Sequence, residues 1–248
     1  MYFAEQRPTP ASGLSPIVFI HGAGGSHQVW LEQLRALGRQ RRAVAVDLPG
    51  HGRSEGDGAD RIETYRDGIT EFLKTSGLER TVMVGHSMGG AVAQRIALDQ
   101  PELLAALVLV GTGARLRVQP QIFADLQDDV QRAVERIAKW ARAPGAPAEQ
   151  LTQDAEAMLR TPISVIEGDF RACDAFDLME EVKAITLPTL VICGTDDLMT
   201  PPKYAEYLHR QIGGSRLALI PAAGHMVMLE QPDETSRAIE VFLEHVGC

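Results

Sequence analysis

Six short apolar runs recur along the chain: Ile17–Ile20, Ala43–Val46, Thr81–Val84, Ala106–Val110, Leu190–Cys193 and Leu217–Ile220. Each has Gly, Asp or Pro at or just past its end, which marks it as a short strand rather than a helix segment. Helix-compatible stretches separate them, near residues 27–38, 61–75, 88–99, 201–211 and 231–246. The last of these carries Ala238, Ile239, Phe242, Leu243 and Val246 on one helical face. Strands that are apolar on both faces fit a parallel sheet covered by helices on each side. The alternation predicts an α/β protein with a doubly wound, mostly parallel sheet.

One segment interrupts the pattern. From about Ala114 to Glu181 no convincing strand appears, and Ile122, Leu126, Val130, Val134, Ile137 and Ala141 mark one face of a long amphipathic helix. The run Ala143-Pro-Gly-Ala-Pro147 ends it, and Leu151, Ala155, Met158 and Leu159 suggest a second helix. The expected organisation is a core of residues 1–113 and 182–248 with an all-helical cap, residues 114–181, inserted between two strands. Such an insertion would sit over the strand ends, where open α/β sheets bind ligands.

Composition narrows the partners. A formal charge of −9 over 248 residues argues against nucleic acid or an anionic membrane surface. No apolar stretch approaches the ~20 residues that span a bilayer. The N-terminal residues Met1-Tyr-Phe-Ala-Glu-Gln-Arg-Pro8 lack a secretory pattern. Three widely spaced cysteines, Cys173, Cys193 and Cys248, suggest reduced thiols and a cytoplasmic setting. None has metal-ligand spacing with a histidine; neither a metal nor a cofactor is expected.

The chemistry concentrates at Gly85-His-Ser-Met-Gly89, a G-x-S-x-G motif between a strand and a helix-compatible stretch. Glycines flanking the serine permit a sharp turn that leaves Ser87 exposed at its apex. A serine hydroxyl needs an imidazole to take its proton, and that imidazole needs an orienting carboxylate. Three histidines follow the insertion. His209 lies within a predicted helix and His245 near the chain's end, whereas His225 follows the Leu217–Ile220 strand through a short loop. His225 is therefore the candidate base. Asp196 and Asp197 both stand just past the Leu190–Cys193 strand, at the same edge of the sheet. Either also suits a turn before the helix at Pro201.

The chain as a whole resembles the α/β-hydrolase superfamily. His21-Gly-Ala-Gly-Gly25 is similar to that family's oxyanion loop, and Asp47-Leu-Pro-Gly-His-Gly-Arg-Ser54 to its D-x-x-G-H-G-x-S loop. Gly85–Gly89, Gly194-Thr-Asp-Asp197 and Gly224-His225 resemble its elbow, acid and histidine loops. The resemblance runs from about Pro16 to the C-terminus; before it, the family's usual first two strands are short or missing. It implies the triad Ser87, Asp197 and His225, with Asp197 preferred over Asp196 because the acid commonly stands three residues after the strand-ending glycine. It also implies an oxyanion hole from the backbone N–H groups of Met88 and Ala23, with Gly24 as the alternative to Ala23. His21, His51 and His86 are expected to brace loops.

A serine at the elbow disfavours relatives that cleave carbon–halogen bonds or epoxides, which use Asp there. The expected function is hydrolysis of small or short-to-medium carboxylic esters through an acyl-enzyme, as in small bacterial carboxylesterases. Arg115, Arg117, Arg132, Arg136, Lys139 and Arg142 cluster in the first half of the insertion. A basic cap could receive an acyl-carrier protein or a coenzyme-A thioester, giving a thioesterase or an acyl-carrier methyl ester esterase as the alternative. Interleaved Asp125, Asp128, Asp129 and Glu135 favour a plain solvated face instead. A reading of another class is a ligand receptor or pseudoenzyme on the same fold. Phe123, Trp140, Met158 and Phe170 are the bulkiest candidates for an acyl pocket.

Overall fold

The computed structural model describes residues 1–10 and 12–248. The chain begins with strands β1 (Phe3–Gln6) and β2 (Ile17–Ile20), a 3-10 turn over His27–Trp30, then α1 (Leu31–Leu37) and β3 (Ala43–Val46). It continues through α2 (Ile62–Thr75), β4 (Thr81–His86), α3 (Met88–Asp99) and β5 (Leu104–Val110). Four helices follow among the described residues: α4 (Pro120–Asp128), α5 (Val130–Ala141), α6 (Ala148–Met158) and α7 (Ile163–Ala175). The sheet then resumes with β6 (Thr189–Gly194), α8 (Pro202–Gln211), β7 (Arg216–Ile220), α9 (Val227–Glu230) and α10 (Pro232–Val246).

The described strands form one seven-stranded sheet in the order β1-β3-β2-β4-β5-β6-β7. Only β1 runs antiparallel, pairing with β3 at the edge. Of the strands in doubt before Pro16, the described residues contain this one. Every residue of β2 through β6 is buried. Alternate side chains feed two layers: Val18, Ile20, Val44, Val46 and Met83 pack with α2 and α3, whereas Ile17, Phe19, Ala43, Val82 and Val84 pack with α1 and α10. That two-sided burial is why these strands read as unbroken apolar runs. After β3 the chain returns to lay β4 on the other side of β2, so the connection reverses between β2 and β4. The loops at their C-terminal ends open on the crevice this reversal creates.

The insertion is helical, but it departs from the expected pattern. The long helix over 122–141 is two helices broken at Asp129, whose backbone is extended (φ −151°, ψ 95°). The Asp129 carboxylate accepts the Arg132 N–H at 3.0 Å and so caps α5. Apolar spacing stays in phase across the break, which hid it. A further helix, α7, was not anticipated.

Candidate active site

Ser87 stands between β4 and α3 with φ 51° and ψ −115°, a strained conformation for a residue with a side chain. The turn is this tight only because its flanks are bare. A Cβ on Gly85 would overlap the Gly89 carbonyl, and one on Gly89 would lie 2.5 Å from the Ile20 and His21 carbonyl oxygens. The Ser87 N–H donates to the Val110 carbonyl at 3.0 Å, and the Thr112 hydroxyl donates to the Ser87 carbonyl at 2.8 Å. The serine is thereby pinned at the N-terminus of α3, where the helix dipole favours developing negative charge.

Past β6, Asp197 is buried and accepts three donors from its own turn: the Met199 and Thr200 N–H groups at 2.9 and 2.8 Å, and the Thr200 hydroxyl at 2.8 Å. Its Oδ2 also lies 2.9 Å from His225 Nδ1. Burial pushes the Asp197 carboxyl up, but His225 and these hydrogen bonds outweigh it and hold the group below the usual carboxylate value. Asp196 is half-buried, and its N–H donates to the Ala223 carbonyl. Of the two candidates, Asp197 is the one brought to His225. Ser87 and His225 line the same cavity, and among the described residues the Ser87 hydroxyl makes no hydrogen bond. The expected residues Ser87, Asp197 and His225 thus converge at the C-terminal edge of the sheet.

The loop after β2 lies against the elbow. The Gly24 N–H is engaged by the Asp169 carboxylate at 2.8 Å, whereas the Ala23 and Met88 N–H groups have no acceptor among the described residues. Of the two alternatives after His21-Gly22, Ala23 is therefore the available donor.

His21, His27 and His86 brace this frame. His21 lies with Nδ1 against the Gly22 carbonyl at 2.8 Å and accepts the Leu48 N–H at Nε2. Burial and the neighbouring His51 charge hold it well below the ordinary histidine range. His86 donates from Nε2 to the His225 carbonyl at 3.0 Å; burial, then the His225 charge, push its pKa down to about 3. It therefore stays neutral beside the His225 ring, 4.6 Å away. His27 is bound by Asp47 at both its N–H and its ring.

His51 differs. Its Nε2 lies 2.7 Å from Asp169 Oδ2 and its Nδ1 3.0 Å from the Pro49 carbonyl, so both nitrogens face acceptors. Burial alone would lower its pKa, but Asp169, the Pro49 carbonyl and Asp47 together raise it. Its ring also neighbours those of His21 and Tyr65. Because folding raises this pKa, the pairing stabilises fully below the unfolded value near 6.5 and is lost as pH climbs through the folded value. The melting temperature is expected to fall between pH 6 and pH 9 more in the parent than in His51→Gln. Scanning calorimetry would resolve the difference, since each kcal/mol is worth about 2–4 °C at this size. Parallel curves for the two proteins would refute it.

A cavity of about 360 Å³ lies above Ser87 and His225. It lies between the sheet edge and the helical insertion, which contributes Val134, Ile137, Ala138, Met158 and Phe170 to the walls. Of the four bulky candidates, Met158 and Phe170 line it. Phe123 and Trp140 instead pack among the helices, under the guanidinium groups of Arg171 and Arg136. Among the described residues no cluster of His, Cys, Asp or Glu is arranged to hold a metal ion, and no helix is long and apolar enough to cross a membrane.

Sequence reasoning missed Thr200 and Asp169. Thr200 had a signal: an Asp-x-x-Thr turn leading into a helix. Asp169 had a subtler one, a carboxylate on the apolar face of α7 among Val165, Ile166, Phe170 and Cys173.

Sequence comparison agrees with this architecture. Residues 17–238 match the profile of the alpha/beta hydrolase family. A pimeloyl-[acyl-carrier protein] methyl ester esterase of Pectobacterium carotovorum is 30% identical, over 95% of this chain and 97% of the relative. A solved structure of a thermophilic esterase superposes with a TM-score of 0.87 at 37% identity, over 99% of this chain and 98% of the other. The enol-lactonase of Burkholderia xenovorans LB400 shares the fold, with a TM-score of 0.91 at 23% identity over 98% and 96% of the two chains. The chain belongs to the alpha/beta hydrolase family.

Proposed function

We propose that the chain is a serine hydrolase that cleaves small or short-to-medium carboxylic esters through an acyl-enzyme. The observation that carries this reading is the 2.9 Å pairing of His225 Nδ1 with buried Asp197, at the edge of a cavity that also holds Ser87. The esterase names of the Pectobacterium relative and the thermophilic structure support the same reaction type.

In this reading Asp197 keeps the proton of His225 on Nδ1, leaving Nε2 free to accept the Ser87 proton. Ser87 Oγ attacks the ester carbonyl, and the oxygen's developing charge is met by the Ala23 and Met88 N–H groups. Collapse breaks the C–O bond to the alcohol, which leaves with the proton from His225. Water, deprotonated by His225, then adds to the acyl-enzyme and releases the acid and Ser87. Residues 114–181 act as the cap, and their apolar side chains receive the acyl chain. The free thiols of Cys173, Cys193 and Cys248 support a reducing compartment, the cytoplasm, as its setting.

The basic cluster of the cap does not favour a carrier-protein partner. Arg132 pairs with Asp128 and Asp125, Arg136 with Asp125, Arg142 with Asp154, and Arg115 and Arg117 share Asp177. Most of these charges are thus answered within the chain, Lys139 alone of the cluster making no ion pair among the described residues. The test is a stopped-flow experiment with p-nitrophenyl butyrate. A burst of p-nitrophenol close to one equivalent, followed by steady turnover, is expected. No burst and no turnover across an acyl series would favour the receptor reading.

Chain-length selectivity should separate pocket from packing. Met158→Ala is expected to raise the octanoate-to-butyrate ratio of kcat/KM several-fold, since each buried methylene is worth about 0.8 kcal/mol. Phe123→Ala and Trp140→Ala are expected to lower the melting temperature and leave the ratio alone. An unchanged ratio in a folded Met158→Ala would remove that residue from the acyl site.

A further inference from the structure

The loop that follows β2 is held from the insertion at three points. The Gly25 N–H donates to the Gly22 carbonyl at 3.1 Å, closing a turn with Ala23 and Gly24 at its centre. Gly24 has φ +64°, as the third position of a type II turn requires. Its N–H donates to Asp169 Oδ2 at 2.8 Å, and its carbonyl accepts the Thr161 hydroxyl at 3.2 Å. Met158 covers its remaining face, where an added Cβ would lie 3.0 Å from Cγ. Thr161, Met158 and Asp169 all belong to the helical insertion, while Gly24 belongs to the core.

Asp169 is itself held. It is fully buried and accepts from Tyr65 Oη at 2.5 Å and from His51 Nε2 at 2.7 Å as well as from Gly24. Three donors from three core segments thus converge on one carboxylate carried by α7. A carboxylate only accepts hydrogen bonds, so it favours one orientation of the Ala23–Gly24 peptide and repels the flipped one, which would turn the Ala23 carbonyl toward it. An amide in its place would tolerate both orientations.

We infer that Asp169 is a positioning residue for the oxyanion hole: by fixing the Ala23–Gly24 peptide it holds the Gly22–Gly25 turn in one form, and with it the preceding Gly22–Ala23 peptide, whose N–H is the donor proposed to meet the reacting carbonyl. The inference rests on the serine hydrolase reading above. It assigns the insertion a part in the chemistry as well as in chain-length selection. Donors aimed at a developing oxyanion act by being fixed beforehand, so a loop free to flip loses catalysis more than ground-state binding.

The test compares the parent with Asp169→Asn, Thr161→Val and Tyr65→Phe. Three quantities are measured: kcat and KM for p-nitrophenyl butyrate, Ki for a butylboronic acid that forms a tetrahedral adduct on the serine, and Ki for butyrate. Removing an oxyanion donor outright costs about 10²–10³ in kcat, so a loosened one in Asp169→Asn should cost about 10–100-fold. KM and the butyrate Ki should stay within about threefold, while the boronate Ki rises in step with the loss in kcat. Thr161→Val and Tyr65→Phe should show the same paired change at about two- to fivefold. A folded Asp169→Asn with kcat and boronate Ki within twofold of the parent would overturn the inference. So would a kcat loss with an unchanged boronate Ki, which is the mark of a general structural role. Should Asp169→Asn fail to fold, Thr161→Val and Tyr65→Phe decide, and parent-like values in both would overturn it. A parent that forms no boronate adduct and turns over no ester would instead sink the hydrolase reading itself.

Discussion

Ser87→Ala is expected to lose about 10⁴-fold or more in kcat against p-nitrophenyl butyrate while its fold and melting temperature stay close to the parent's. The loss follows from removing the one group that forms the covalent bond in the proposed reaction. The retained stability follows from the site. Ser87 is held by its backbone, through its N–H to Val110 and its carbonyl from Thr112, and its hydroxyl has no partner among the described residues. Alanine can occupy the same φ of 51° at a similar backbone strain. Steady-state kinetics beside a thermal melt would check both halves. Residual turnover near the parent's would show that another nucleophile carries the reaction.

Asp197→Asn is expected to cost about 10³–10⁴-fold in kcat, and Asp196→Asn less than about threefold. An asparagine at 197 would donate its amide to His225 Nδ1, moving the ring proton to Nε2, where it blocks acceptance of the Ser87 proton. Asp196 carries no such coupling, because its ordered contact is the backbone N–H to the Ala223 carbonyl at 2.9 Å. Kinetics of the two variants, measured together with their melting temperatures, separate tautomer control from turn stability. Equal losses would mean that both carboxylates act on the site. A larger loss at Asp196 would mean the acid is misassigned.

Much of this was readable from the chain because the core obeys simple patterns. Strands buried on both faces, such as Ile17–Ile20 and Ala106–Val110, leave no alternation to misread. The glycines at 85 and 89 announce a turn that few other residues permit. The insertion was less legible for a physical reason. Its helices share one apolar phase across Asp129, so periodicity merged α4 with α5, while α7 carries a buried carboxylate that reads as a surface residue. Partners of that carboxylate lie 104 to 145 residues away in Tyr65, His51 and Gly24, and no local spacing could have joined them. Which bulky side chains face the cavity was likewise a matter of packing: Met158 does, and Trp140 does not.

The central claim is that His225 and Asp197 activate Ser87 as a nucleophile, and covalent labelling tests it most directly. The parent, Ser87→Ala and Asp197→Asn would each be treated with a fluorophosphonate, then digested and mapped by mass spectrometry. The expected result is a single adduct on the peptide containing Ser87, formed rapidly in the parent, slowly in Asp197→Asn and absent in Ser87→Ala. An adduct on a different residue, or labelling of Ser87→Ala at the parent's rate, would contradict it.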